Sequence, residues 1–81
     1  MLNIKVLGPG CANCKRVEQI VRKVLGDLAI EAEVIKVEDH GEILKLGVMN
    51  TPGLIINDEI VLSGRLPSQQ EVLNWITGAA S

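Results

Sequence analysis

Four runs rich in β-branched and aliphatic residues predict four short strands. The runs cover residues 3–7, 30–37, 53–56 and 60–62. Asn57-Asp58-Glu59 has the composition of a turn, so the last two strands are predicted to form an antiparallel hairpin. A helical pattern separates the first two strands, which predicts a right-handed βαβ unit with parallel strands.

Apolar residues at helical spacing predict a long first helix. They form one stripe: Val17, Ile20, Val21, Val24 and Leu25. Charged and polar side chains cover the opposite face, among them Lys15 and Arg16. This basic face is interpreted as a solvated surface, with docking of an acidic reductase or substrate as the alternative. Gly26 is predicted to end the helix.

Capping signals predict two further helices. Asp39 lies three residues before Glu42 and is expected to open a short helix that ends at Leu46. Ser68 and Glu71 match an S-x-x-E capping box before the last helix, and residues 78–81 are expected to fray. The predicted order is β-α-β-α-β-β-α. It describes an α/β fold with a four-stranded mixed sheet and three helices.

Length and composition exclude several classes of protein. The 81 residues are expected to form one domain, residues 1–81, and Trp75 is the only aromatic residue. A net charge of −2 gives no case for nucleic-acid binding. No apolar run reaches the roughly 18 residues of a membrane span, and the sequence does not begin like a signal peptide. We therefore expect a cytoplasmic protein in a reducing environment, with neither nucleic acid nor membrane as a partner.

Cys11-Ala12-Asn13-Cys14 is the segment with the clearest chemistry, because it contains both cysteines of the chain. It lies where the first strand gives way to a helix, and a C-x-x-C in that setting is typical of dithiol–disulfide exchange. The same spacing could instead hold a soft metal ion, as in the heavy-metal-associated ferredoxin-like domains. His40 is the only histidine, so one chain cannot complete a Cys₂His₂ zinc site. His40 is interpreted as a solvated residue at a helix start.

Three segments give the chain a resemblance to the thioredoxin superfamily, in particular to small glutaredoxin-sized proteins of bacteria and archaea. The segments are Gly8 to Lys15, Val48 to Asn57 and Ile60 to Gly64. The resemblance implies a cis peptide bond before Pro52, which would face the cysteine pair, and a position for Gly64 in the loop beside it. It implies no bound cofactor and no metal.

The resemblance also implies roles for individual residues. Cys11, at the exposed start of the helix, would attack a substrate disulfide, and Cys14 would resolve the mixed disulfide. The helix N-terminus and the basic residues that follow are expected to lower the pKa of Cys11 below its usual value of about 8.5. Thr51, Pro52 and Gly64 would contact the substrate. Met49 is interpreted either as part of an apolar rim or as a core residue.

The implied function is the reduction of disulfides in client proteins. A thioredoxin-reductase-like enzyme or a small thiol would restore the dithiol. The alternatives are a soft-metal carrier that binds copper or zinc through the same cysteines, and a thioredoxin-fold binding module with little turnover.

Two departures from the larger thioredoxins concern the chemistry. This chain has Gly10 before the first cysteine and Ala12-Asn13 between the two. Lys5 stands where those proteins have a buried Asp. Because a buried ammonium group is costly, Lys5 is expected to direct its charge to solvent rather than assist proton transfer.

Overall fold

Four strands and three helices make up the part of the chain that the computed structural model describes, residues 2–8 and 12–80. Met1, residues 9–11 and Ser81 lie outside that part. The elements are β1 (Leu2–Leu7), α1 (Ala12–Leu28), β2 (Ala32–Val37), α2 (His40–Lys45), β3 (Gly53–Ile56), β4 (Glu59–Ser63) and α3 (Gln69–Ala80). The predicted order of elements and the α/β fold class are confirmed.

The four strands form one mixed sheet in the order β2-β1-β3-β4. β1 runs parallel to β2, with Ile4 opposite Val34. β3 runs antiparallel to both β1 and β4. The parallel pair joined through α1 is the predicted βαβ unit, and the antiparallel pair is the predicted hairpin.

Side chains of β1 alternate between two apolar layers on opposite faces of the sheet. Ile4 and Val6 join a large cluster with residues of α1 and α3. Leu7 belongs to a smaller cluster with Ile43 of α2 and with Ile55. α1 and α3 therefore cover one face of the sheet, and α2 covers the other.

A two-residue turn joins β3 to β4. Both of its residues have positive φ angles, +50° at Asn57 and +67° at Asp58, as a type I′ turn requires. The Asn57 side-chain oxygen accepts a hydrogen bond from the Asn3 N–H at 3.0 Å. The Asn57 N–H in turn donates to the Asn3 carbonyl at 2.8 Å. These two bonds fix the hairpin to the start of β1.

The predicted end of α1 at Gly26 is wrong, because the helix continues to Leu28. The left-handed position that terminates it is Ala29, with φ of +54°. Two hydrogen bonds close the helix: Ala29 N–H to the Gly26 carbonyl and Ile30 N–H to the Leu25 carbonyl. This is the Schellman pattern. Because Ile30 takes part in that cap, β2 starts later than predicted, at Ala32.

Replacing Ala29 by Gly is expected to raise the free energy of unfolding by about 0.5–1 kcal/mol. The left-handed conformation disfavours a residue with a Cβ by about 1–2 kcal/mol, and the greater freedom of Gly in the unfolded chain offsets part of the gain. Denaturant unfolding measures the change. Gly26→Ala is a matched control: the added Cβ meets nothing within 4 Å, so it should stabilise the helix by about 0.8–1 kcal/mol. A loss of stability in Ala29→Gly would contradict the assignment.

Both predicted caps of the later helices are present. The Asp39 side chain accepts hydrogen bonds from the N–H groups of Gly41, at 2.7 Å, and Glu42, at 3.2 Å. The Ser68 hydroxyl oxygen accepts from Glu71 N–H at 3.2 Å, and the Glu71 carboxylate accepts from Ser68 N–H at 3.1 Å.

The predicted fraying is wrong for residues 78–80, which are helical. Within the described ranges, no helix combines the length and apolarity needed to cross a membrane.

Candidate active site

Strand ends and the start of α1 meet at one edge of the sheet. At this edge Leu7 lies opposite Val37 on one side and Gly53 on the other. Gly53 is also opposite Ser63 of β4. The loops beside these residues contain most of the predicted site residues, so the topology alone brings distant parts of the sequence together.

Cys14 lies in the first turn of α1 and is 5% exposed. Its sulfur packs directly on Gly8, which continues β1 and donates its N–H to the Val37 carbonyl at 2.9 Å. A Cβ atom placed on Gly8 would collide with Cys14 Sγ and would lie 2.8 Å from Cys14 Cβ. Gly8 is therefore part of the site, because only glycine leaves room for this cysteine. The sequence analysis missed it, although its position at the end of β1 was a possible signal.

Thr51 lies on the same side of Gly8 as Cys14, and Pro52 follows it in the chain. A Cβ built on Gly8 would lie 3.9 Å from Thr51 Cβ. Cys14 Sγ borders the same position. The Thr51-Pro52 peptide bond is cis, which confirms the prediction. Pro52 is buried and Thr51 is half-buried, so Thr51 is the more accessible of the two.

Gly64 lies beside Pro52, as the resemblance implied. Its N–H donates a hydrogen bond to the Pro52 carbonyl at 2.9 Å. Its φ of +81° suits glycine, and a Cβ there would lie 2.9 Å from Asn50 Cβ. Asn50 is a neighbour that the sequence analysis did not single out. The structure thus places Cys14, Thr51, Pro52 and Gly64 in one region, whereas Cys11 lies outside the described residues.

Arg65, which follows Gly64 in the chain, forms an ion pair with Glu71 of α3. Arg65 donates hydrogen bonds from both of its terminal nitrogens to the Glu71 carboxylate, one of them at 2.9 Å. The guanidinium and, after it, the Ser68 N–H lower the pKa of Glu71 to about 2. Glu71 therefore links the loop after Gly64 to the first turn of α3, and it stays ionised at any pH where the protein would ordinarily work.

Lys5 points away from this region. It lies opposite Ile55 on β1, on the face of the sheet that α2 covers, whereas Cys14 belongs to α1 on the other face. Its Nζ is 3.8 Å from Asp58 Oδ1, and the two side chains are 23% and 91% exposed. The prediction that Lys5 directs its charge to solvent is confirmed.

Replacing Lys5 by Met should therefore leave resolution of a mixed disulfide within about threefold of the original rate across the pH range, because the ammonium group is not near Cys14. Stopped-flow kinetics on a preformed mixed disulfide measures this rate. Lys45→Met, which replaces an exposed side chain of α2, serves as the control for the loss of one charge. A tenfold loss confined to Lys5→Met, about 1.4 kcal/mol of barrier, with stability unchanged, would instead make Lys5 a participant.

Comparison with known proteins gives a consistent result. A family model described as a thioredoxin domain matches residues 2–77. A protein named thioredoxin from Methanothermobacter thermautotrophicus is 36% identical over 72 residues, 89% of this chain and 94% of that protein. A thioredoxin of Methanocaldococcus jannaschii is 39% identical over 72 residues, 89% of this chain and 83% of that protein. A probable thioredoxin of Archaeoglobus fulgidus is 37% identical over 71 residues, 84% of this chain and 77% of that protein.

The fold and the matches define a thioredoxin-type redox protein. The chain belongs to the thioredoxin family. The ferredoxin-like domains considered as an alternative have the order β-α-β-β-α-β, whereas the described elements of this chain have the order β-α-β-α-β-β-α. In the described ranges no three His, Cys, Asp or Glu side chains are grouped so that they could hold a metal ion.

Proposed function

We propose that this protein is a thiol–disulfide oxidoreductase that reduces protein disulfides through Cys11 and Cys14. Thr51, Pro52 and Gly64 are the proposed substrate-contacting residues. One observation carries the proposal: the sulfur of Cys14 and the side chain of Thr51 border the same position beside Gly8. A substrate strand lying along Thr51 would thus come close to Cys14.

The proposed reaction has two exchange steps. The Cys11 thiolate attacks one sulfur of the substrate disulfide, forms a Cys11–substrate disulfide and releases the other substrate sulfur as a thiolate. The Cys14 thiolate then attacks the Cys11 sulfur, closes the Cys11–Cys14 disulfide and releases the second substrate thiolate. Two electrons pass to the substrate, and the two protons of the dithiol end on the released thiols.

The surface around Thr51 suits an extended, partly apolar substrate. Thr51 has backbone N–H and C=O groups that could pair with a substrate strand, and Pro52 has no N–H to compete for that strand. Met49 is 83% exposed, which rules out its interpretation as a core residue and favours the apolar rim. Its flexible thioether can adapt to different substrate side chains.

The oxidised protein must be reduced again by an external electron donor. A thioredoxin-reductase-like enzyme or a small thiol would supply the two electrons, and the cycle needs no bound cofactor. A reducing cytoplasm is the proposed location, because there such a pair is kept as a dithiol between turnovers.

A redox titration of the whole chain against thiol buffers, with quantification of free thiols, tests this function. We expect two thiols to appear together as a two-electron couple, and the reduced protein to reduce a peptide disulfide in stoichiometric amounts. No thiol transition, or a reduced protein that leaves the peptide disulfide intact, would contradict the proposal. Copper or zinc that co-purifies in stoichiometric amount and blocks the exchange would favour the metal carrier.

A further inference from the structure

The charge of this protein is unevenly distributed. Residues 12–26 contain four cations and one carboxylate, a net charge of +3, whereas the rest of the chain carries −5. Within that segment Lys15, Arg16 and Lys23 are exposed. We call these three residues the basic stripe. At helical spacing they lie on the side of α1 opposite its buried face, which contains Cys14 and Val17.

The basic stripe differs from the other cations in its pairing. The remaining Lys and Arg residues each have a carboxylate within 4 Å: Lys5, Arg22, Lys36, Lys45 and Arg65. Among residues 2–8 and 12–80, no carboxylate lies within that distance of the basic stripe. Glu18, the one acid of the segment, is already held by Arg22 and Lys36, which lower its pKa against the opposing effect of burial. The positive charge of the stripe is therefore available to another molecule.

The basic stripe also begins at the candidate active site. Lys15 and Arg16 directly follow Cys14. At a rise of about 1.5 Å per residue, Lys23 lies roughly 13–14 Å from Cys14 along the helix axis. The first two charges thus lie at the same end of α1 as Cys14. A partner that approaches Cys14 would meet them.

We propose that the outer face of α1 docks an acidic protein surface that surrounds the disulfide or dithiol with which this protein exchanges electrons. This inference rests on the function proposed above and adds the charge of the partner. The net charge of −5 elsewhere would repel the same acidic surface, so the field both attracts the partner and turns α1 toward it.

A protein partner fits these observations better than a nucleic acid. Trp75 is the only aromatic residue; it lies in α3 and packs against the large core cluster, so it offers no stacking platform beside the stripe. The net charge of −2 also opposes a long polyanion.

Two peptides that differ only in charge provide the test. Both contain one cysteine in a mixed disulfide with a chromogenic thiol; one has four flanking Glu residues and the other has four Gln. The reduced full chain is mixed with each peptide in a stopped-flow instrument at low and high salt. We expect the acidic peptide to react about tenfold faster at low salt and the advantage to disappear near 1 M, where the Debye length is about 3 Å.

Matched variants locate the effect. Lys15→Gln/Arg16→Gln should remove most of the advantage of the acidic peptide and leave the Gln peptide unchanged. Lys23→Gln, which is further from Cys14, should remove less. Lys5→Gln/Lys45→Gln also loses two positive charges, but from ion pairs that do not involve α1, and should change neither rate by more than about twofold. Gln has a helix propensity close to that of Lys and Arg, so α1 is retained.

The outcomes separate this inference from the proposed function. Equal rates for the two peptides at low salt, or an equal loss in both double variants, would overturn the docking surface while leaving the oxidoreductase intact. If neither peptide is reduced, the function fails. The basic stripe is then tested by fluorescence anisotropy with the acidic peptide in which Ser replaces Cys. If the original chain binds this peptide and Lys15→Gln/Arg16→Gln weakens the binding, the docking surface is supported. If the original chain does not bind the peptide, the docking surface is overturned. Tighter binding of a single-stranded oligonucleotide than of the acidic peptide would overturn the choice of a protein partner.

Discussion

Replacing Cys14 by Ser is expected to stop the reaction at a mixed disulfide between Cys11 and the substrate. Multiple turnover should fall by about a hundredfold or more, because a second thiol in the same chain attacks far faster than an external one. Non-reducing electrophoresis and mass spectrometry of the trapped adduct measure this outcome. Added dithiol should release the substrate and restore the unmodified variant.

Cys11→Ser is the matched control for the trapping experiment, since it also removes one thiol of the C-x-x-C segment. It should give no adduct, because Cys14 is buried and therefore poorly accessible to a folded substrate. Trapping through Cys14 as efficient as that through Cys11 would contradict the proposed roles. Faster alkylation of Cys14 than of Cys11 by iodoacetamide in the reduced protein would also contradict them.

The fold was predictable because each element is marked locally in the sequence. Alternating or continuous β-branched runs marked the strands, and Asp39 and Ser68 marked the helix starts through their caps. The errors lie at helix ends, where tertiary packing competes with local preference. Gly26 seemed a natural stop, yet apolar Leu25 packs in the core and the chain accepts a left-handed Ala29 instead.

The candidate site was only partly predictable, for a different reason. Its residues come from three separate stretches of sequence, and nothing local in the sequence places Thr51 near Cys14. The family resemblance supplied that proximity, together with the cis bond at Pro52 and the position of Gly64. What no pattern supplied was the contact between Gly8 and Cys14, since a glycine that ends a strand looks the same whether or not a sulfur packs on it.

Gly8→Ala is expected to lower the free energy of unfolding by about 1–3 kcal/mol, as overpacking of a tight site does. The new methyl would collide with Cys14 Sγ and lie 2.8 Å from Cys14 Cβ. Rotation of the reduced Cys14 side chain could move Sγ but not Cβ, so α1 or the end of β1 would have to shift. Denaturant unfolding under reducing conditions measures the loss, and Gly26→Ala, where a Cβ meets nothing within 4 Å, controls for the substitution itself.

A double-mutant cycle separates this collision from any general effect of a methyl group at the end of β1. In a Cys14→Ala background the sulfur is gone, so Gly8→Ala should destabilise the protein by about 1 kcal/mol less than it does in the original chain. The Cβ of residue 14 remains, and part of the loss should therefore persist. If the loss is the same in both backgrounds, the sulfur does not set the requirement for glycine. The contact would then be structural packing of β1 against α1, and Gly8 would not belong to the candidate active site.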